Sequence, residues 1–508
     1  MRFISVRIIV PFRPAGAEPS AEYTENSRNR QLFREIPDLF FPRKTPILER
    51  PEKPGRPYGT ERSPRIRRNG RKRLTHISHE TMKRFVWMLL LLPIGLQAQV
   101  RTERLLEKGW RFTRDDAPAF AEPSYDDSRW QEVTVPHDWA IYGPFSAGND
   151  LQHTAIAQDG QTQAVEHAGR TGGLPFVGTG WYRPPNSLAS LCQEIRNEGR
   201  RCTLLFDGAM SHARVYVNGR EAIRWPNGYN SFHTDITPLL NPDGENLLAV
   251  RLENLPESSR WYPGAGIYRN VHLIVTDEAH VPVWGTQIIT RRADEASARV
   301  RQCTALAVPQ GKSPADYAIE TAVTDPAGRV VARHRQSAGA DFGDHCFEQE
   351  FTIDRPALWS PDTPALYTST SEIYEGGELK DRYVTVFGIR TVEAVQGEGF
   401  RLNGKPLKFR GVCLHHDLGP LGGIVNESAI RHRIRLLKEM GCNAIRTSHN
   451  MPAPELIEIC DETGMMVMAE SFDEWETKKV ENGYHKEFGQ WAERDLVNLV
   501  RRFRNNPS

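Results

Sequence analysis

The feature that most limits the fold of this chain is a change of pattern at about residue 400. Before it, short apolar runs separated by turn residues indicate β-structure; after it, strands alternate with helices. Alternating strands and helices form a parallel sheet joined by right-handed crossovers. We therefore expect residues 394–508 to form the first part of a (β/α)8 TIM barrel, contributing three of its eight strands.

Local signals delimit the helices of this barrel segment. Asn426 is a typical N-cap residue, and it precedes a helix whose Ile430, Ile434 and Leu437 share one face. Pro454 can open a second helix because its fixed φ suits the first helical turn. The sequence predicts three helices, at 427–440, 454–463 and 489–503.

Polar residues follow all three predicted strands. Because parallel strands point the same way, these residues should line a pocket at one face of the barrel. The adjacent His415 and His416 should point to opposite sides of their strand, which disfavours a shared metal ion. We expect neither a metal nor a cofactor, and a polyhydroxylated ligand instead. The residues are His415, His416, Asp417, Arg446, His449, Asn450, Glu470, Asp473 and Glu474.

Two β-rich segments precede the barrel. Residues 99–277 have the spacing of a jelly-roll sandwich, and Asn218-Gly219 is a strong hairpin signal. Residues 278–393 have the length and turn spacing of an immunoglobulin-like sandwich. The first segment is rich in large aromatics, which stack on sugars or fill a core; we expect core for most. These are Trp110, Trp130, Trp139, Trp181, Tyr182, Trp225, Trp261 and Tyr262.

Seven cysteines are scattered without a C-x-x-C pair. Cys413, Cys442 and Cys460 lie in apolar patterns, so we expect them to be buried and inert. Cys303 and Cys346 would be able to form a disulfide after export, although sequence alone does not show that they meet.

The first 98 residues differ from the rest. Residues 1–81 hold 18 Lys and Arg against nine Asp and Glu, which fits a nucleic-acid-binding tail or a disordered, even untranslated, leader. Residues 82–98 have the basic start, apolar centre and small final residue of a signal peptide, with Met82 as start and Ala98 at the cleavage site. We expect a periplasmic or secreted protein without a stable membrane span; the alternative is an uncleaved, membrane-anchored form.

Charge in the remainder argues against nucleic acid as a partner. Residues 82–508 carry 47 basic and 55 acidic residues, so no net positive charge is available to attract phosphates. The sequence leaves the oligomeric state open.

Several motifs resemble glycoside hydrolase family 2, the family of β-galactosidases and β-glucuronidases. VPHDW, GTGWYR and SRWYPGAGIYRNV resemble its sugar-binding domain, whereas FRGVCLHHD and NAIRTSHNMPAPELIEICDETGMMVMAESFDEW resemble the start of its catalytic barrel. The likeness extends over nearly all of residues 100–508 and is strongest to secreted Bacteroides-type β-galactosidases. It implies hydrolysis of O-glycosidic bonds in carbohydrate metabolism.

The resemblance also implies roles for single residues. His415 and His449 would bind sugar hydroxyls, Arg446 would hold the mouth of the pocket together, and Asn450 and Glu470 would complete the substrate-binding set. Two positions depart from the best-known β-galactosidases. Val177 stands where they carry Asn, and they carry an acidic residue near the position that Arg260 occupies here.

The two carboxylates of a retaining glycosidase are expected beyond Ser508. In the family, the acid/base Glu follows a run that resembles RNNPS at 504–508, and the nucleophile lies further on. We therefore expect no catalytic residue within this chain, and no hydrolysis by it. The alternative is a non-catalytic carbohydrate-binding or vestigial protein built from the β domains.

Overall fold

The computed structural model describes residues 100–149, 151–154, 162–163, 165–167, 176–184, 199–241, 244–338 and 346–508. The predicted leader at 1–81 and the predicted signal peptide at 82–98 lie outside these described residues. Within them, no helix has the length and apolar character that crossing a membrane requires.

The first domain is a two-sheet β-sandwich. Four strands pair in the order β1-β12-β7-β10 and six in the order β3-β2-β6-β11-β8-β9, while β4 and β5 form a separate hairpin. The strands are β1 (Thr102–Leu105), β2 (Trp110–Thr113), β3 (Gln131–Val133), β4 (Gln152–Thr154), β5 (Val165–His167), β6 (Gly178–Arg183), β7 (Arg201–Phe206), β8 (Ala213–Val217), β9 (Arg220–Trp225), β10 (Phe232–Asp235), β11 (Leu248–Asn254) and β12 (Val271–Thr276).

Trp110, Trp139, Tyr182 and Trp225 belong to the main core of this domain, whereas Trp130 and Trp181 pack with Phe120 in a second cluster. Six of the eight large aromatics singled out from the sequence are buried, and the exceptions are Trp261 and Tyr262. The hairpin joining β8 to β9 turns at Asn218 and Gly219, both with positive φ, as the Asn-Gly pair predicts.

The second domain is an immunoglobulin-like sandwich of three and four strands. Its sheets run in the orders β13-β14-β17 and β16-β15-β18-β19. Cys303 and Cys346 form a disulfide between the adjacent strands β14 and β17, with their Cα atoms 5.9 Å apart. The strands are β13 (Thr286–Ala293), β14 (Ser297–Ala305), β15 (Tyr317–Thr324), β16 (Val330–Ser337), β17 (Cys346–Asp354), β18 (Tyr367–Glu375) and β19 (Glu378–Phe387).

A small antiparallel sheet leads into three parallel strands and three helices. This final segment confirms the predicted start of a (β/α)8 barrel: β23, β24 and β25 are neighbours in one parallel sheet. The backbone carbonyl of Ser508 accepts a hydrogen bond of 2.8 Å from Val467 on β25. The elements are β20 (Val392–Val395), β21 (Gly399–Leu402), β22 (Lys405–Pro406), β23 (Gly411–Leu414), α1 (Glu427–Glu439), β24 (Ala444–Thr447), α2 (Pro454–Thr463), β25 (Met466–Ala469) and α3 (His485–Phe503).

The predicted helix boundaries hold for α1 and α2 but not for α3. Asn426 caps α1 by accepting from the amide of Ala429, and Gly464 ends α2 with φ +74°. Helix α3 begins at His485, four residues before the predicted start at Gly489. The reason is tertiary: the buried carboxylate of Glu474 accepts the amide of His485, so this helix start does not depend on a local cap.

The two faces of the parallel sheet have different surroundings. Ile445 on one face packs against Ile434 of α1 and Cys460 of α2. On the other face, Cys413 is exposed, which overturns the expectation that it is buried. It alternates with Val412 and Leu414, which pack against the helices, and therefore points to the face that no helix covers. Cys460 is buried as expected, whereas Cys442 is half-buried.

Candidate functional site

The parallel register brings the predicted polar residues to one edge of the sheet. Cys413, Arg446 and Met468 are aligned across the three strands. Residues that follow each strand therefore gather beyond its carboxyl end, where TIM-barrel active sites form.

Arg446, His449 and Glu470 form the centre of the site. Nδ1 of His449 lies 2.8 Å from one carboxylate oxygen of Glu470, and Nε of Arg446 donates to the other. Nη2 of Arg446 also lies 3.1 Å from Nδ1 of His449. A guanidinium only donates and a carboxylate only accepts, so Nδ1 of His449 forms a hydrogen bond with one of them and not with both. We assign the shorter contact, in which a proton on Nδ1 is donated to Glu470.

Glu470 is held in its ionised form. Partial burial raises the pKa of Glu470, but the hydrogen bonds from His449 and Arg446 outweigh it, so the pKa lies below its ordinary value. The bond to Glu470 also raises the pKa of Arg446. Glu470 therefore fixes the orientation of the His449 ring by accepting a hydrogen bond from Nδ1. Nε2 of His449 makes no hydrogen bond to any described residue.

His415 lies beside this group and packs on an aromatic ring. Its imidazole stacks on Trp261 with ring centroids 4.5 Å apart, and it lies 6.2 Å from the ring of His449. Nδ1 of His415 donates to the backbone carbonyl of Ser448 at 2.8 Å, which leaves Nε2 as the acceptor nitrogen. Trp261 also approaches His449 edge to face, at 5.7 Å.

Trp261 is a site residue that the reasoning from composition did not separate from the core aromatics. It lies in a loop of the first domain between β11 and β12, and nothing in its own spacing links it to the barrel. The signal that could have found it is the SRWYPGAG motif, which has the Pro and Gly content of a loop rather than of a strand.

His416 points away from the site, as its adjacency to His415 predicts. Its ring packs edge to face on Tyr229 and Tyr268 of the sandwich, and Nε2 donates to the carbonyl of Pro263 at 3.1 Å. Burial and the nearby Arg269 lower the pKa of His416 to about 3, so this imidazole is neutral. His416 belongs to the contact between the domains.

Two of the other strand-end acids, Asp473 and Glu474, already have partners. Asp473 binds the guanidinium of Arg260, with one bond of 3.0 Å. Burial raises the pKa of Asp473, but Arg260 outweighs it, so the pKa is lowered overall. Glu474 is buried and accepts the backbone amides of Lys479 and Val480. Arg260, a point of departure from known β-galactosidases, thus has a structural partner on the barrel.

Asn450 lies where two cavities meet. A cavity of about 50 Å³ lies under His415 and His416, and a larger one of about 300 Å³ opens beside it. Both are lined by Trp261, Tyr229 and Asn450. The side-chain amide of Asn450 makes no hydrogen bond to a described residue, so it can both donate to and accept from a ligand.

Two buried side chains fix the site against the sandwich. Arg269 donates to the carbonyl of Met451 at 3.0 Å and to that of Tyr229 at 2.7 Å, joining the loop after β24 to the first domain. Asp138 of the VPHDW motif accepts from the amide of Gly423 at 2.8 Å and from Tyr262 at 2.6 Å. The motif therefore has a clamping role between domains in this structure.

The described residues contain no group of three or more His, Cys, Asp or Glu able to hold a metal ion. What the site does offer is hydrogen-bonding groups: imidazole nitrogens, an amide and an ionised carboxylate beside an indole ring. A neutral ligand with several hydroxyl groups matches this set, since a hydroxyl both donates and accepts.

Three family models match successive parts of the chain. They describe the family 2 glycosyl hydrolase sugar-binding domain at residues 104–277, glycosyl hydrolases family 2 at 281–390, and the family 2 TIM barrel domain at 393–508. A β-galactosidase of Bacteroides ovatus is 41% identical over 401 residues, which cover 78% of this chain and 44% of that protein.

Solved structures show the same domains. A family 2 glycosyl hydrolase from Bacteroides cellulosilyticus matches with a TM-score of 0.71 and 33% identity, covering 80% of this chain and 50% of that one. A β-glycosidase from Bacteroides vulgatus matches with a TM-score of 0.68 and 31% identity, covering 80% and 49%. The chain spans about half the length of these relatives. Its three matched domains, taken together, place it in glycoside hydrolase family 2.

Proposed function

We propose that this chain carries the sugar-binding half of a retaining glycosidase whose complete form hydrolyses β-galactosides. The observation that carries the proposal is the group of Arg446, His449 and Glu470 at the carboxyl ends of the barrel strands, with Trp261 beside it. In this arrangement His415, His449 and Asn450 bind sugar hydroxyls, Glu470 orients His449, and Arg446 holds Glu470. The name of the Bacteroides ovatus relative supports galactose as the sugar.

We propose further that the 508 residues bind sugar without cleaving the glycosidic bond. A retaining mechanism needs a protonated carboxyl to donate to the leaving oxygen and a second carboxylate about 5–5.5 Å away as nucleophile. Glu470 and Asp473 have lowered pKa values and are paired with arginines, so neither is a proton donor at neutral pH. Glu474 is buried and its oxygens accept backbone amides, which removes it as a nucleophile.

The proposal includes export. The basic, apolar and small-residue parts of 82–98 support a signal peptide that starts at Met82 and is cleaved after Ala98. A polysaccharide or long oligosaccharide is met outside the cytoplasm, which agrees with a periplasmic or secreted glycosidase. N-terminal sequencing of the exported protein tests this part.

The test of the function itself compares binding with turnover. The purified chain should bind galactose in a titration followed by tryptophan fluorescence, because Trp261 lies within the site. It should release no nitrophenol from nitrophenyl β-galactoside or β-glucuronide above the buffer rate. Turnover that disappears in Glu470→Gln or Glu474→Gln would contradict the proposed roles, and absence of any galactose binding would contradict the site.

A further inference from the structure

The larger of the two cavities described above lies beside the proposed galactose site rather than in it. It measures about 300 Å³, against about 50 Å³ for the cavity under His415. That size is at the lower end of the range for small-molecule sites. Most of its wall comes from four segments: the turns around Ser211 and Asn227 of the sandwich, the loop at Ser258, and the barrel loop leading into the start of α3.

This cavity adjoins the smaller cavity beside His415, with which it shares lining residues. Trp261 and Asn450 line it, and the same Trp261 ring contacts both His415 and His449. A ligand next to His449 therefore contacts the same Trp261 ring that lines the cavity. The free amide of Asn450 stands at the junction.

The wall carries three acids, Asp473, Glu474 and Glu487, and one lysine, Lys486. Asp473 pairs with Arg260, and Glu487 lies 3.7 Å from Arg224. The amide of Asn482 accepts from Lys486 at 2.7 Å. Burial lowers the pKa of His212, so its imidazole is neutral at neutral pH. A wall with three acids and one lysine disfavours an anionic ligand and suits a neutral, hydroxyl-rich one.

An aromatic series leads from the cavity to solvent. Tyr484 lines the cavity, stacks on Phe472 at 5.0 Å, and meets Phe488 edge to face at 6.3 Å. Phe488 in turn lies parallel to Trp475, with centroids 6.1 Å apart and planes 13° apart. The Trp475 side chain is 62% exposed, so one face of its ring is open to a ligand while Phe488 lies along the other.

We propose that this cavity binds a second, neutral sugar unit of an oligosaccharide whose first unit occupies the His449 site, and that Trp475 is the outer platform for the units beyond it. The proposal rests on the proposed function, because the second unit is positioned by the first. It assigns the chain a preference for oligosaccharides over single sugars, set by residues of both the sandwich and the barrel loop.

The test compares galactose with a β-linked galactotriose on the purified chain. Galactotriose should bind at least about tenfold more tightly than galactose, since a second occupied site adds on the order of 1.4 kcal/mol or more. Ser258→Trp places an indole in the cavity and should abolish this gain while galactose still binds. Trp475→Ala should weaken galactotriose binding about three- to tenfold and leave galactose binding unchanged.

Two controls separate the possible failures. Met440→Ala removes a side chain that is 69% exposed at the end of α1, away from the cavity, and should change neither affinity. A trisaccharide of the same length with a uronic acid in the second position should gain nothing over galactose. If galactose binds but galactotriose binds no more tightly, the second site is wrong and the proposed function stands. If galactose itself does not bind, the proposed function fails.

Discussion

The two faces of the three-stranded parallel sheet differ in what covers them. One face carries Ile445 against α1 and α2, in a core that includes Ile434 and Cys460. The other carries Cys413, Arg446 and Met468, and Cys413 and Met468 are exposed. Cys413 and Met468 are as apolar as residues of the covered face, so their own residue types do not show that they are exposed. The difference shows that burial in a parallel sheet is set by the elements packed on it.

The largest expected difference between the faces is in stability. Ile434→Ala removes a fully buried side chain from the covered face and should lower the free energy of unfolding by about 2–5 kcal/mol. Met468→Ala, on the open face and 41% exposed, should change it by less than about 0.5 kcal/mol. Urea unfolding followed by circular dichroism measures both. Equal losses for the two variants would mean that the open face is covered in solution.

A second prediction concerns a carboxyl group that is buried where α3 meets the sandwich. Asp495 accepts from Trp225 at 2.9 Å and from Asn227 at 3.2 Å, and burial raises the pKa of Asp495 to about 7. The folded chain therefore holds this proton more tightly than the unfolded one, whose aspartate pKa is about 3.9. Stability contributed by the protonated form is present at low pH and is lost as pH rises from about 4 to about 7.

Asp495→Asn should flatten this part of the pH profile. The free energy of unfolding, measured between pH 4 and pH 8, should fall less steeply in the variant than in the unchanged chain. Asp354→Asn, at an exposed position at the end of β17, is the matched control and should keep the original slope. Identical slopes for the Asp495 variant and the unchanged chain would show that Asp495 is ionised throughout, and that its donors Trp225, Asn227 and Tyr484 outweigh its burial.

The smallest expected effect is a difference in cysteine reactivity between the two faces of the sheet. Cys413 should react with iodoacetamide within minutes at pH 8, because it is exposed. Cys460 should be protected while the chain is folded, since it is buried and burial raises the pKa of its thiol. Mass spectrometry of tryptic peptides measures both rates, and Cys413 labelled no faster than Cys460 would contradict the assignment of faces.

Much of this fold could be predicted because its signals are local. The Asn426 cap, the Gly464 stop, the Asn218-Gly219 hairpin and the alternation of strands and helices each depend on a few neighbouring residues. The start of α3 could not be predicted in the same way, because Glu474 satisfies the amide of His485 from outside the helix.

The candidate site likewise contains residues that local sequence predicts and residues that only domain packing brings in. The strand-end residues Arg446, His449 and Glu470 could be named from their positions, and the structure brings them together. Their partner Trp261 and the pair of Arg260 with Asp473 could not, because they join segments about 200 residues apart in two domains. Contacts of that kind depend on how domains pack, which no local pattern records.

The measurement that tests the central claim most directly is galactose binding by His449→Ala. Loss of a hydrogen bond to a polar or charged group costs about 1.5–3 kcal/mol, so affinity should fall at least about tenfold. The free energy of unfolding in urea should stay within about 0.5 kcal/mol of that of the unchanged chain, because His449 is not part of a core. Met440→Ala should leave both values unchanged. Unchanged galactose affinity together with a clear loss of stability would show that His449 holds the fold rather than the sugar.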